Sequence, residues 1–140
     1  MKITKEYIIH LRVWPNRRKT GKRGGYFDVH IFPTKQEWAD AQKKFRAKTR
    51  SLKQGGAVVF LPAQQIGKCW GHAYFYHSQF FDGNVAHECV HIAVETCRKM
   101  KIDPFNSVDE EEMFAGFVEV SLLQIFNALR YREGRNNEAL

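Results

Sequence analysis

The chain has 140 residues, of which 44% are hydrophobic and 14% aromatic, and this is enough apolar surface to build one core. The composition excludes a disordered or fibrous protein. The net charge of +7 is unevenly distributed, because residues 1–56 carry 15 Lys and Arg against 4 Asp and Glu.

The basic N-terminal half has two interpretations. An electropositive lobe can bind nucleic acid or an acidic partner protein. A lysine-rich helix face and a basic loop are more often solvated surface, and we favour that interpretation.

The rest of the composition predicts a cytoplasmic protein. The three cysteines, an odd number without C-x-x-C spacing, predict reduced thiols rather than disulfides. Charges interrupt the first segment every few residues, and we expect neither a signal peptide nor a run of membrane-span length.

The first half of the chain predicts two strands, a helix and two more strands. β-branched and aromatic residues favour the strands, and a basic loop joins the first two as a hairpin. Thr34 and Glu37 form a capping box that opens the helix, which we expect to end near Gly55. The predicted strands are 6–14, 25–32, 57–63 and 69–78.

Helical periodicity replaces strand alternation after the "DG" turn at residues 82 and 83. One helix is predicted from about Val85 to Lys101, where Asp103-Pro104 stops it. A long final helix is predicted from Asn106 or Ser107 to about Arg130. Residues 132–140 have no apolar period and predict a disordered tail. We find no repeat or linker, so residues 1–140 are expected to form a single α+β domain.

The segment His87-Glu88-Cys89-Val90-His91 matches the H-E-x-x-H pattern of zinc peptidases. Residues four apart share a helix face, so the two imidazoles can bind one ion. Glu88 lies about 100° round the helix, where it can act as general base on a zinc-bound water. Burying these side chains without a partner would be costly, and this favours a metal site.

A catalytic zinc site needs a third protein ligand. Glu95 is excluded because it lies about 12 Å along the helix from His87. Cys97 would require the helix to break near Val94, and a β-branched residue resists the necessary positive φ.

The remaining source is the acidic start of the last helix. Glu112 heads a stripe of small residues that would let the two helices approach around an ion, namely Ala115 and Gly116, with Glu119 beyond them. Glu111 shares a different row that could also point inward. We favour Glu112, since a solvated first turn that stabilises the helix dipole already explains the other acidic residues.

The segment from about Tyr74 to Leu129 resembles the gluzincin-type, zincin-like metallopeptidases, and is especially similar to small zincin-like proteins of phages and prophages. The matching elements are "AYFYHSQF", "DG", "HECVH" and "EMFAGF", the last resembling the family's E-x-x-A segment. The resemblance implies a compact zincin-like domain with a small sheet and Zn²⁺ held by His87, His91 and Glu112. It implies Glu88 as general base and a peptide or protein as substrate. Gly116 departs from the pattern, because relatives often carry a larger residue there.

An alternative stays open. The protein could retain a zincin scaffold without catalysis and bind nucleic acid or an acidic partner through its basic half.

For a peptidase, a strand preceding the metal helix should be an edge strand that pairs with substrate. In "WGHAYFY", His72, Tyr74 and Tyr76 share one face, and one of them is a candidate donor to the oxyanion. Aromatic residues in a strand more often pack in the core or across strands, and we favour that interpretation for each of them. The other strand histidines, His10 and His30, are expected to pack.

Overall fold

The computed structural model describes residues 5–12, 25–46, 59–62, 69–76 and 82–138. These described residues have α+β architecture and form a four-stranded mixed sheet and three helices. The strands are β1 (Tyr7–Arg12), β2 (Tyr26–Phe32), β3 (Val59–Pro62) and β4 (Cys69–Tyr76), and the helices are α1 (Lys35–Arg46), α2 (Asp82–Met100) and α3 (Val108–Glu138).

The sheet has the strand order β1-β2-β4-β3. The outer pairs, β1 with β2 and β3 with β4, are antiparallel, whereas β2 and β4 run parallel in the centre. The predicted hairpin of the first two strands is confirmed, and its connecting loop lies outside the described residues. The expectation that the strand before the metal helix is an edge strand is wrong, because β4 lies between β2 and β3.

Alternation along the strands gives the sheet two different faces. Phe27, Val29 and Ile31 of β2 are fully buried, as are Ala73 and Phe75 of β4. These side chains pack against α2 and α3 in the main core. The residues that alternate with these core residues along the central strands place their side chains on the opposite face. The two faces of the sheet therefore have different surroundings.

Helix α1 covers one end of the opposite face. Thr34 caps it as predicted, since the Thr34 Oγ1 accepts from the Glu37 amide at 3.2 Å. Trp38 is buried in a second cluster with Phe32, Tyr74 and Tyr76, and its indole Nε1 donates to the Tyr74 carbonyl at 3.2 Å. Residues 47–54 of the predicted helix lie outside the described part of the chain.

Helix α3 is longer than its apolar pattern predicts, since it continues to Glu138 rather than ending near Arg130. The tail predicted at 132–140 is therefore helical as far as Glu138. The physical reason is that extending a formed helix fixes one residue for each new hydrogen bond, and this extension needs no apolar face.

From Val108 to Arg130, α3 is long and apolar enough to cross a membrane, by length and composition alone. The expectation that no segment reaches this length is wrong. The finding is weak evidence for a membrane span, because a core helix meets the same criteria. Phe117, Ile125 and Leu129 of α3 are buried in the main core, whereas 22% of the apolar window as a whole is buried.

The turn between α2 and α3 is a Schellman motif. The Ile102 amide donates to the Cys97 carbonyl at 2.9 Å, and the Lys101 amide donates to the Arg98 carbonyl at 3.4 Å. These bonds satisfy carbonyls that the end of a helix leaves unpaired. Lys101 has φ of 56°, in the left-handed region that glycine prefers.

Lys101→Gly is expected to stabilise the protein. A residue with a Cβ loses about 1–2 kcal/mol in the left-handed conformation, and the extra unfolded-state freedom of glycine offsets part of the gain. The free energy of unfolding should rise by about 0.5–1 kcal/mol in urea denaturation. Lys99→Gly is the control, since glycine within a helix should cost about 1 kcal/mol. Equal destabilisation by both changes would contradict the assigned turn.

Candidate metal centre

The histidines of the H-E-x-x-H segment face the same point in space. They lie one turn apart on α2, with the Nε2 atoms of His87 and His91 separated by 3.2 Å. Two nitrogens bound to one tetrahedral zinc lie about 3.3 Å apart, given Zn–N bonds of about 2.0–2.1 Å. The spacing of the two imidazoles therefore fits a shared ion.

Both histidines are exposed, and 68% of the His87 side chain is accessible. Burial and, second, the neighbouring His87 lower the pKa of His91. A lower pKa favours the neutral imidazole, which is the form that binds metal. The pair is thus accessible to an ion from solvent, and the lowered pKa of His91 favours its metal-binding form.

Glu88 lies beside the pair and is buried, with 3% exposure. Its Oε1 is 3.8 Å from the His87 Nε2, and its Oε2 has no hydrogen-bond partner among the described residues. A buried carboxylate without partners is costly, and burial raises the pKa of Glu88 to about 7. Together, the unpaired carboxylate oxygen and the paired nitrogens fit the residues expected around a zinc ion.

Within the part of the chain that the structure describes, the cluster on α2 comprises His87, Glu88 and His91, whose ligand atoms lie within 4.8 Å of one another. Glu112 is not in this cluster. Its assignment as third ligand therefore stays a prediction.

The packing argument for Glu112 is wrong. The inner face of α3 is formed by Phe117, Ser121 and Ile125, which are buried, whereas Glu112 is exposed. A Cβ built on Gly116 would meet no atom within 4 Å, so this glycine does not permit a close approach of helices. The stripe of small residues faces outward because the large apolar side chains of α3 occupy its inner face.

The position of Glu112 along the helix axis is a second argument against its reaching the histidine pair. α3 follows a short turn and packs against α2. His91 lies nine residues before Met100, a rise of roughly 13 Å, whereas Glu112 lies four residues after Val108, a rise of roughly 6 Å. Glu112 would need both a rotation and a shift of α3 to reach the pair.

Three other side chains near the motif have structural roles, namely those of Glu95, Cys97 and Glu110. Glu110 accepts from the Asp103 amide at 2.7 Å and from the Asn106 side chain at 2.6 Å, and so ties the turn to the start of α3. Glu95 is buried and pairs with Arg98 at 3.3 Å. Cys97 is buried in the core of an unbroken α2, as expected, and burial raises its pKa to about 11.

The candidate oxyanion donors lie on the wrong face of the sheet. His72, Tyr74 and Tyr76 alternate with Ala73 and Phe75, which pack against α2. Tyr74 and Tyr76 instead pack in the cluster that includes Trp38 of α1. None of these three side chains therefore faces α2 across the core.

No family model matches the chain, and no curated protein or solved structure is significantly similar to it.

The buried Glu88 carboxylate predicts an unusual pH dependence in metal-free protein. The pKa rises from 4.5 to about 7 on folding, so the folded state binds more protons between these values. Stability should therefore fall as pH rises from about 4.5 to 7, by about 3 kcal/mol at 1.36 kcal/mol per pKa unit. Chelator-treated Glu88→Gln should lack this pH-dependent loss of stability. Its free energy of unfolding, relative to that of wild type, should therefore increase as pH rises over the same range.

Denaturation in urea at several pH values measures this difference. Glu95→Gln is the matched control on the same helix, because Glu95 is buried but paired with Arg98. A stability difference between wild type and Glu88→Gln that does not change from pH 4.5 to 8 would contradict the buried environment of Glu88.

Proposed function

We propose that the protein is a zinc-dependent metallopeptidase of the zincin type. The observation that carries the proposal is the geometry on α2, where two imidazole nitrogens lie 3.2 Å apart beside a buried carboxylate. His87 and His91 hold the ion, and Glu88 is the general base. Bound zinc supplies a Lewis acid that polarises the scissile carbonyl and makes water more acidic.

Glu88 is suited to move the proton. A general base works best when its pKa is near the working pH, and burial raises the pKa of Glu88 to about 7. The carboxylate takes a proton from the attacking water and returns it to the leaving amine. Because Oε2 has no partner among the described residues, neither transfer requires a protein hydrogen bond to that oxygen to break.

The edge of the sheet offers a place for an extended substrate. β3 is an outer strand that pairs with β4 on one side, and α2 contacts it. An extended peptide can add to such an edge through main-chain hydrogen bonds. This role belongs to β3 rather than to β4, the strand that the sequence favoured.

Glu112 remains the proposed third ligand on the strength of the sequence resemblance. Glu112→Ala is expected to lose the zinc held by the pair, because two histidines alone hold zinc far more weakly. Glu111→Ala, Glu119→Ala and Cys97→Ala should retain it. Zinc content after gel filtration measures the difference. If Glu112→Ala retains its zinc, the outward orientation of Glu112 in the structure is correct and the ligand assignment is not.

Incubation of zinc-loaded protein with an unfolded protein substrate tests the activity. New N-termini identified by mass spectrometry are the expected result. They should be absent after chelation and absent for His87→Ala, in which the ion has lost a ligand. Cleavage that survives both treatments would come from a contaminating peptidase and would contradict the proposal.

A further inference from the structure

A second cluster of metal-binding side chains lies on the sheet face that points away from α2. The ligand atoms of Asp28, Cys69 and His72 all lie within 4.8 Å of one another. Val29 and Ala73, which follow Asp28 and His72, point into the main core with α2. Because neighbouring residues on a strand face opposite ways, the sheet separates this cluster from His87 and His91.

An irregularity in β4 brings the cluster together. Cys69 and His72 are three residues apart, so in a regular strand they would lie on opposite faces. The register changes here, since Tyr26 pairs with Cys69 whereas the next residue, Phe27, pairs with Gly71. Trp70 is therefore the extra residue of a β-bulge. A bulge of this kind redirects side chains and places Cys69 on the same face as His72.

Two neighbouring residues, Phe27 and Gly25, accommodate this bulge. The Trp70 ring packs edge-on against Phe27 with centroids 6.1 Å apart, so the extra residue is anchored in the main core. A Cβ on Gly25 would lie 2.2 Å from the Trp70 ring, and only glycine leaves room for the indole. The geometry of Cys69 is thus built into the fold.

A chain of hydrogen bonds orients His72. The His30 Nδ1 contacts the Glu6 Oε1 at 2.6 Å, and a carboxylate can only accept from it. The His30 Nε2 in turn lies 2.9 Å from the His72 Nδ1, so these two ring nitrogens share a hydrogen bond. This bond leaves the His72 Nε2 as the ring nitrogen that faces the Cys69 Sγ, 3.8 Å away.

We propose that Asp28, Cys69 and His72 form a second zinc site, independent of the pair on α2. Sulfur and nitrogen ligands of one tetrahedral zinc lie about 3.6 Å apart, given bonds of about 2.3 and 2.0–2.1 Å, close to the 3.8 Å found here. Thiolate and imidazole are ligands that favour zinc over magnesium or calcium. The Cys69 thiol releases its proton to solvent when the ion binds.

Two neighbouring histidines, His10 and His30, contact the proposed ligands through hydrogen bonds. His10 Nδ1 contacts Asp28 Oδ1 at 2.5 Å, and His30 orients the His72 ring. Outer hydrogen bonds of this kind fix the orientation of metal ligands. The expectation that both histidines pack is confirmed for His30, whose side chain is 12% exposed, and is wrong for His10, whose side chain is 71% exposed.

The same residue types occur in nucleophilic cysteine sites, but the hydrogen bonds differ. There, the acid or amide group bonds to the ring nitrogen that faces away from the thiol. Here that nitrogen of His72 bonds to His30, and Asp28 bonds to His10. The arrangement favours a metal site over a thiol nucleophile.

Cobalt substitution tests the proposal, because Co²⁺ bound to a thiolate gives a charge-transfer absorption that histidine and carboxylate ligands do not give. Wild-type protein titrated with Co²⁺ should show this absorption. His91→Ala should retain the absorption but should no longer bind metal at the site on α2. Cys69→Ser should lose the absorption and one equivalent of metal. Cys97→Ser is the matched control and should behave as wild type.

Two further variants test the site independently, in case Cys69→Ser does not fold. Asp28→Asn should weaken Co²⁺ binding at the thiolate site, and His30→Ala should weaken it by roughly 10–100-fold, as expected for an outer partner of a ligand. A wild-type protein without the absorption, or a Cys69→Ser variant that retains it, would overturn the proposal. Loss of one equivalent of metal in His91→Ala, with the thiolate absorption retained, would support the independence of the two sites.

Discussion

Glu88→Gln is expected to lower peptide hydrolysis by at least roughly three orders of magnitude while leaving the zinc content unchanged. Glutamine has nearly the shape of glutamate but cannot take a proton from water. Because Glu88 is buried and its Oε2 has no partner among the described residues, the neutral amide should be accommodated without unfolding. The loss should appear in kcat rather than in KM, since the side chain acts on the proton in transit.

Glu95→Gln is the control for this change, because it alters a second buried glutamate of α2 that pairs with Arg98. It should retain activity within a few-fold. If Glu88→Gln hydrolyses peptides as fast as wild type, Glu88 is not the base. If the change abolishes zinc binding, Glu88 is a ligand, and the protonation role assigned to it is wrong.

His91→Ala is expected to weaken zinc binding at the α2 site by more than roughly 100-fold, which exceeds the loss caused by removing an outer partner. The two Nε2 atoms lie 3.2 Å apart, so removing either imidazole removes half of the observed nitrogen donors. Competition with a chromogenic chelator measures the change. Cys69→Ser protein is the suitable background, because it removes the thiolate of the other proposed site.

Val90→Ala is the matched control for His91→Ala. Val90 lies between the two histidines in sequence and is 42% exposed, so its loss alters the same helix surface without removing a donor. Its zinc affinity should equal that of the background. Equal affinities for His91→Ala and Val90→Ala would show that the imidazole pair does not hold the ion.

Much of the fold follows from local patterns. The β-branched and aromatic residues of "YFDVHIF" predict β2, and the Thr34 capping box predicts the start of α1. Helical periodicity and the spacing of His87 and His91 predict that the two imidazoles meet, and the structure places them together. These features depend on residues close in sequence, which is why they can be predicted.

Features that depend on distant residues could not be predicted in the same way. The outward orientation of Glu112 results from the burial of Phe117 and Ile125 against the core, and helical period alone does not decide which stripe is buried. The position of β4 inside the sheet depends on pairing with β2 across more than forty residues.

The cluster on the outer sheet face was also missed. The C-x-x-H spacing of Cys69 and His72 was a signal, but period-two alternation places those residues on opposite faces. Only the bulge at Trp70 reverses that conclusion. Gly25, whose missing Cβ makes room for the indole, gives no sign of this role in the sequence.

Zinc content of protein purified without chelator tests the central claim most directly, when wild type is compared with the double variant His87→Ala/His91→Ala. The account predicts that the double variant holds one equivalent less zinc than wild type and remains folded by circular dichroism. Equal zinc contents would contradict it. So would wild-type protein that holds less than about 0.2 equivalents and takes up none at micromolar zinc.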